Sequence, residues 1–140
     1  MSSPNFPKRM IWKEDKKMKT IHTDLAPQAI GPYSQGIITN GLLFLSGQIA
    51  IVPETGDILD GDIKAQTELV CKNIGELLKT AGTGFEKAVK TTCFLSDMGD
   101  FAAFNEVYGK YFVSKPARSC VAVKTLPKNV LCEIEVIAEV

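Results

Sequence analysis

The apolar positions change period several times along the chain, and each change marks an element. Residues 19–24 predict a short strand. Ile37 and Ile38 then lead into Thr39-Asn40-Gly41-Leu42, and Asn-Gly between apolar runs signals a tight hairpin, because its turn needs positive φ twice. The returning strand, 42–46, is apolar at four consecutive positions, and residues 48–52 continue extended up to a turn at Pro53-Glu54-Thr55-Gly56-Asp57. The period then becomes helical. Ile63, Thr67, Val70, Ile74 and Leu77 share one face and predict a helix over 62–80, with Asp60 or Asp62 as cap and Gly82 ending it. KAVKTTCFL at 87–95 predicts a strand. A second helix follows over about 99–112, capped by Asp97 or Asp100, with Phe101, Phe104, Tyr108 and Tyr111 as a core-packing stripe. In the last segment, 116–138, β-branched residues predict two short strands joined by a turn at Leu126-Pro127-Lys128-Asn129.

The order is therefore βββ–α–β–α–ββ. Helices that do not alternate strictly with strands indicate an α+β fold. Two helices of this length cover one face of a five- or six-stranded mixed sheet. Yet a strand with one wet face alternates, and Leu42–Leu45 does not, so this strand calls for cover on both faces. A chain this short has no third layer to offer. A bare apolar sheet face marks an association surface, and closed symmetry is the common way to bury one. A homo-oligomer is the expectation.

Composition narrows the function more than the fold. The 140 residues suit one domain, over 18–140, and residues 1–17 read as a flexible N-terminal tail without apolar period. Sixteen basic and sixteen acidic residues cancel, which disfavours a nucleic-acid or membrane-surface partner. No run approaches the ~20 apolar residues of a membrane span, and the N-terminus lacks a secretory signal's apolar stretch. The expectation is a soluble, cytoplasmic protein. Cys71, Cys93, Cys120 and Cys132 form no CxxC, each sits in an apolar segment, and His22 is the only histidine, so neither a metal site nor disulfides are expected.

Dinucleotide, Walker, HExxH and GxSxG motifs are absent. One histidine in a weakly patterned segment makes His-based acid–base chemistry a poor fit. Arg118 opens a strand beside the alternating acids Glu133, Glu135 and Glu139. Its planar fork suits a carboxylate, although an ordinary Arg–Glu pair on a solvated face gives the same pattern. Glu133 has the chemistry of a general base. Cys120 is a possible nucleophile with no histidine to activate it, so a backbone or pocket-lining role suits it better. Tyr33 on the constrained Gly31-Pro32 loop, Ser46 at a strand end and Asn105 on the helix complete the candidates. None is specific alone.

Taken together, the blocks AIGPYSQG at 29–36, LFLSGQI at 43–49, KTTCFLSDMGDFAAFNEVY at 90–108, PARSCVAV at 116–123 and LPKNVLCEIEVIA at 126–138 resemble the RidA/YjgF family. Members are enamine/imine deaminases, also described as translation initiation inhibitors or endoribonucleases. The resemblance spans residues 19–140. It implies a chorismate-mutase-like single domain with two helices on one face of a mixed sheet. It also implies assembly as a homotrimeric barrel with sites between subunits.

The activity it implies is cofactor-free hydrolysis of 2-iminobutanoate, 2-iminopropanoate and related species to 2-keto acids and ammonia. By resemblance, Arg118 holds the substrate carboxylate, Cys120 contacts the imine end through its main chain, and Glu133 orients water. Tyr33, Ser46 and Asn105 line the pocket. The link Phe112-Val113-Ser114-Lys115 is shorter than in many members, which bears on substrate size. Two other readings remain: an RNA-cleaving translation inhibitor, and a non-catalytic binder of small carboxylates or interaction protein.

Overall fold

The computed structural model describes residues 17–140; the expected tail therefore lies outside the described residues, except for Lys17. The strands are β1 (Lys19–Ile21), β2 (Gly36–Thr39), β3 (Leu42–Leu45), β4 (Ala88–Leu95), β5 (Ala117–Ala122) and β6 (Cys132–Glu139), and the helices are α1 (Ile63–Thr80) and α2 (Phe101–Tyr111). They form one six-stranded sheet in the order β1-β2-β3-β6-β4-β5, the α+β architecture expected.

The alternation in β6 sorts the two faces of the sheet. Cys132, Ile134, Val136 and Ala138 are buried beneath the helices, while Glu133, Glu135, Ile137 and Glu139 point the other way. Helix α1 supplies Val70, Cys71, Ile74, Leu77 and Leu78 to this core, and α2 supplies Phe104 and Tyr108. A fully buried aliphatic side chain of this kind contributes about 1.5–3 kcal/mol, so one continuous helix face fixes the layer. Asp62, not Asp60, caps α1, its carboxylate accepting from the Ala65 amide at 2.9 Å, a bond typically contributing about 1 kcal/mol. Gly82 ends the helix with φ +83°, its amide and that of Thr83 closing onto Lys79 and Leu78. Asn40 and Gly41, at φ +51° and +77°, make the predicted β2–β3 turn.

Three sequence expectations need correction. β5 and β6 are not a hairpin: β4 lies between them, antiparallel to β6 and parallel to β5. A parallel pair requires a crossover, and α2 supplies it, so the chain returns over β4 before entering β6. Residues 48–52 form no strand; only isolated bridges, Gln48 to Ile134 and Ile51 to Ile58, remain. Neither proposed cap acts on α2. Asp97 instead accepts from Gly99 in a short 3-10 turn, and Asp100 makes no side-chain cap bond. The bare sheet face expected from the sequence is present: Leu43 and Leu45 are buried but Phe44 stays 38% exposed, so one chain dries only one face of β3.

Candidate active site

The parallel β4–β5 register sets Arg118 opposite Thr91 and Cys120 opposite Cys93, which puts both side chains on the helix-bearing face. Arg118 reaches α2, where Nη1 donates to Asn105 Oδ1 at 2.8 Å. Its guanidinium carbon lies 4.8 Å from the centre of the Tyr108 ring and 5.5 Å from that of Phe101. Such stacking favours a cation and limits its movement. Tyr108 is itself held, its hydroxyl 2.7 Å from the Thr91 hydroxyl. Among the described residues no carboxylate lies within ion-pair distance of Arg118. A guanidinium carries five N–H donors, and the one acceptor it meets among the described residues leaves the others without a partner there. They sit beside a cleft of about 540 Å³ that Asn105, Tyr108, Phe112, Val113 and Lys115 also line.

Cys120 lies half-buried in the same region. Burial pushes its thiol up, and Arg118 only partly opposes the shift. A thiol so placed is mostly protonated near neutrality and a poor nucleophile.

Glu133 belongs to the opposite side of the sheet. It pairs in register with Phe94, one step out of phase with the buried Cys93 and Leu95. Reciprocal backbone bonds between Gln48 and Ile134 bring the Ser46-Gly47-Gln48 segment against it. Glu133 is half-buried; desolvation raises its carboxyl above the ordinary range, and Glu135 adds to the rise. A cleft of about 460 Å³ opens here, lined by Tyr33, Ser46, Gly47, Gln48, Lys128 and Glu133 among others.

Buried Gln35 braces this wall, accepting from the Thr23 amide and donating to the Thr23 and Pro27 carbonyls. The Ser46 hydroxyl donates to the Ser34 carbonyl at 2.6 Å, tying the strand end to the Tyr33 loop. Tyr33 itself is 51% exposed.

One chain thus gathers the six candidates into two groups. Arg118 and Asn105 line one cleft, with Cys120 two residues along β5 on the same sheet face, and Tyr33, Ser46 and Glu133 line the other. Sequence reasoning missed Gly47 and Gln35. The signal for Gly47 was available, a glycine directly following a candidate hydroxyl residue; for Gln35 the signal appears only once the loop folds over it. His22 is exposed beside Asp24, as a surface histidine would be. Among the described residues no three His, Cys, Asp or Glu side chains cluster as metal ligands, and no helix is long and apolar enough to cross a membrane.

The chain is thus an α+β domain with an aromatic-stacked guanidinium on one face of its sheet and a desolvated carboxylate on the other. The Endoribonuclease L-PSP family model matches residues 23–140. The chain belongs to this family, the RidA/YjgF family expected from its motifs. It is 45% identical over 137 residues to Reactive Intermediate Deaminase A, chloroplastic, of Arabidopsis thaliana, covering 97% of this chain and 73% of the relative. It is 44% identical over 121 residues to the 2-iminobutanoate/2-iminopropanoate deaminase of Mus musculus, covering 86% and 90%. The crystal structure of E. coli TdcF with bound serine superposes with a TM-score of 0.82 at 43% identity, covering 87% of this chain and 98% of that one. Names within the family include both deaminase and endoribonuclease, so membership alone does not select one activity.

Proposed function

We propose that the protein hydrolyses small 2-imino acids, or their enamine tautomers, to 2-keto acids and ammonia at a site completed between two copies of the chain. The observation that carries this reading is the Arg118 guanidinium, stacked on aromatic rings, fixed by Asn105, and free of any acidic partner among the described residues. A half-buried cation with spare donors facing a cleft favours a small anion, and its fork matches a carboxylate. The serine bound to the related TdcF presents such a carboxylate, and the deaminase names of the mouse and Arabidopsis relatives supply the reaction class.

In this mechanism Arg118 clamps the substrate carboxylate and thereby fixes the adjacent imine carbon. Glu133 of a neighbouring copy holds a water against that carbon. The water oxygen bonds to carbon as its proton passes to Glu133. That proton is then returned to nitrogen, giving a carbinolamine. Glu133 next takes the carbinol O–H proton and passes it to the amino nitrogen, the carbon–nitrogen bond breaks, and the carbonyl forms as ammonia leaves. One water is consumed and one ammonia released, without oxidation, reduction or a cofactor. Tyr33 and Ser46 wall the pocket, and Cys120 contributes main-chain contacts. Orientation of this kind removes a large part of the entropic barrier to a bimolecular step.

The test is a coupled assay in which an amino-acid oxidase or dehydratase generates the imino acid and ammonia release is followed. The wild-type chain accelerates release over the spontaneous rate, and Arg118→Ala loses that acceleration. Retained acceleration in the variant overturns the assignment of Arg118. No acceleration by the wild type on any small imino acid overturns the deaminase reading.

A further inference from the structure

We infer that Gly47 is a positioning residue for Glu133: the absence of a side chain at position 47 creates the seat in which the Glu133 carboxylate rests. This assignment deepens the deaminase reading and rests on it for its catalytic consequence, though not for its geometry.

A Cβ built on Gly47 would coincide with the Glu133 carboxylate, meeting Oε2 first, then Cδ at 2.9 Å and Cγ at 3.1 Å. These three nearest heavy atoms all belong to Glu133. The nearest obstacle at this position is therefore an acidic side chain rather than backbone or the apolar core. Nor does backbone conformation require the glycine, because residue 47 is not among those with positive φ. The close approach is fixed from both sides. Gln48 N donates to Ile134 O at 2.8 Å and Ile134 N donates to Gln48 O at 3.1 Å, so the residues next to Gly47 and Glu133 are locked as a pair. The Ser46 amide donates to the Gln35 carbonyl at 3.0 Å, and this holds the other end of the segment.

A methyl group at 47 leaves two ways out: a shift of this doubly bonded backbone, or rotation of the Glu133 side chain. Rotation is the easier, since the obstacle is the far end of a flexible chain. The carboxylate would then leave its half-buried seat for water. A general base displaced by even 1 Å loses much of its advantage. The same move restores hydration and so lowers the proton affinity that burial had raised.

The decisive experiment is a double-mutant cycle on the full-length protein with Gly47→Ala, Glu133→Gln and the double variant, assayed for imino-acid deamination. If Gly47 acts only through Glu133, the double variant is no slower than Glu133→Gln alone. KM changes less than kcat, because Arg118 still holds the carboxylate. Losses that multiply across the cycle overturn the assignment.

A second measurement needs no activity: NMR titration of the Glu133 carboxyl. In the wild type it titrates above the ordinary glutamate range, and in Gly47→Ala it falls toward that range. An unmoved titration in a folded Gly47→Ala chain refutes the seat. If Gly47→Ala fails to fold, Gly47→Ala/Glu133→Ala decides. Recovery of folding when the carboxylate is removed supports the assignment, and continued failure overturns it. Absence of deamination in the wild type with the NMR shift intact would sink the deaminase reading and leave the geometry standing.

Discussion

Arg118 and Glu133, the two residues to which the proposed mechanism gives the clamp and the base, lie on opposite faces of one sheet. Arg118 is in register with Thr91 and bonded to α2; Glu133 is in register with Phe94, on the face without helices. Neighbouring positions on a strand point to opposite faces. β4, which pairs with both β5 and β6, therefore measures the separation directly: Thr91 and Phe94 are an odd number of residues apart. No side-chain rotation brings the two groups around the sheet. A reaction using both must take Arg118 from one copy and Glu133 from another.

Complementation between inactive variants follows from that placement. Arg118→Ala and Glu133→Ala chains, each inactive alone, regain activity when unfolded together and refolded as a mixture. In a closed ring built from one repeated head-to-tail contact, random 1:1 mixing leaves about a quarter of the contacts with both wild-type residues. Ammonia release near a quarter of the wild-type rate per chain is the expected outcome. A mixture no more active than its components would place both groups in a single chain's site, contrary to the sheet geometry.

Among the described residues, Asn105 is the one acceptor for the guanidinium, at 2.8 Å. Asn105→Ala removes that bond, so the cation keeps its charge and aromatic stacking but loses its fixed heading. A hydrogen bond to a charged group contributes roughly 1.5–3 kcal/mol, so kcat/KM for a small imino acid should fall by about tenfold to a hundredfold. Arg118→Lys should lose a comparable amount, since a point charge does not reproduce a two-pronged grip. Steady-state kinetics of both variants checks this. Unchanged kcat/KM in Asn105→Ala would mean that the aromatic rings alone orient Arg118.

How much of this was legible beforehand depends on the range of the interaction involved. The α1 face and the Asn40-Gly41 turn are local, and residue order specified them; for the cap it left Asp60 and Asp62 open, and the structure selects Asp62. The β5–β6 pairing was misread because Leu126-Pro127-Lys128-Asn129 has good turn chemistry. Yet the turn serves a longer connection, in which Leu126 and Val130 are buried and Lys128 and Asn129 adopt positive φ. Only tertiary packing decides which strand fills the gap beside β6. The same limit hid the division of the site: alternation within β5 and β6 gave the partners on each face, but not that a strand from elsewhere separates them. Gln35 was invisible for a similar reason, as its three bonds reach back 8 and 12 residues.

Phe44 tests whether the helix-free face is an association surface. It lies in register with Ile37 on β2 and Ile137 on β6, giving three large apolar side chains in a row across the sheet. Phe44 points away from the core, so Phe44→Glu should leave the helices and their packing intact. Burying an unpaired carboxylate in an apolar contact is strongly unfavourable. Sedimentation should therefore show an oligomer for the wild type and a monomer with unchanged circular dichroism for the variant, and the monomer should lack activity. A monomeric wild type at micromolar concentration would remove both the association surface and the composite site.

Glu133 makes a prediction about stability whose sign opposes its effect on activity. Desolvation first, and Glu135 second, raise its carboxyl above the unfolded-chain value. The folded state therefore binds the proton more tightly than the unfolded chain does. Its contribution is fully favourable below the ordinary glutamate range, and it is lost as pH rises through the folded value. At neutral pH the ionised side chain is thus a local liability that the fold tolerates. Glu133→Gln keeps the shape and removes the charge, so it should melt higher than the wild type at pH 7. The difference should shrink as pH falls and the wild-type carboxyl takes up its proton. Activity should run the other way. A base must be deprotonated to accept the proton of water, so wild-type turnover should rise with pH through the elevated value, and Glu133→Gln should lack that limb altogether. Melting curves and rate profiles on the same two proteins check both halves. A Glu133→Gln chain less stable than wild type at pH 7 would show that the carboxylate is held by favourable contacts rather than endured.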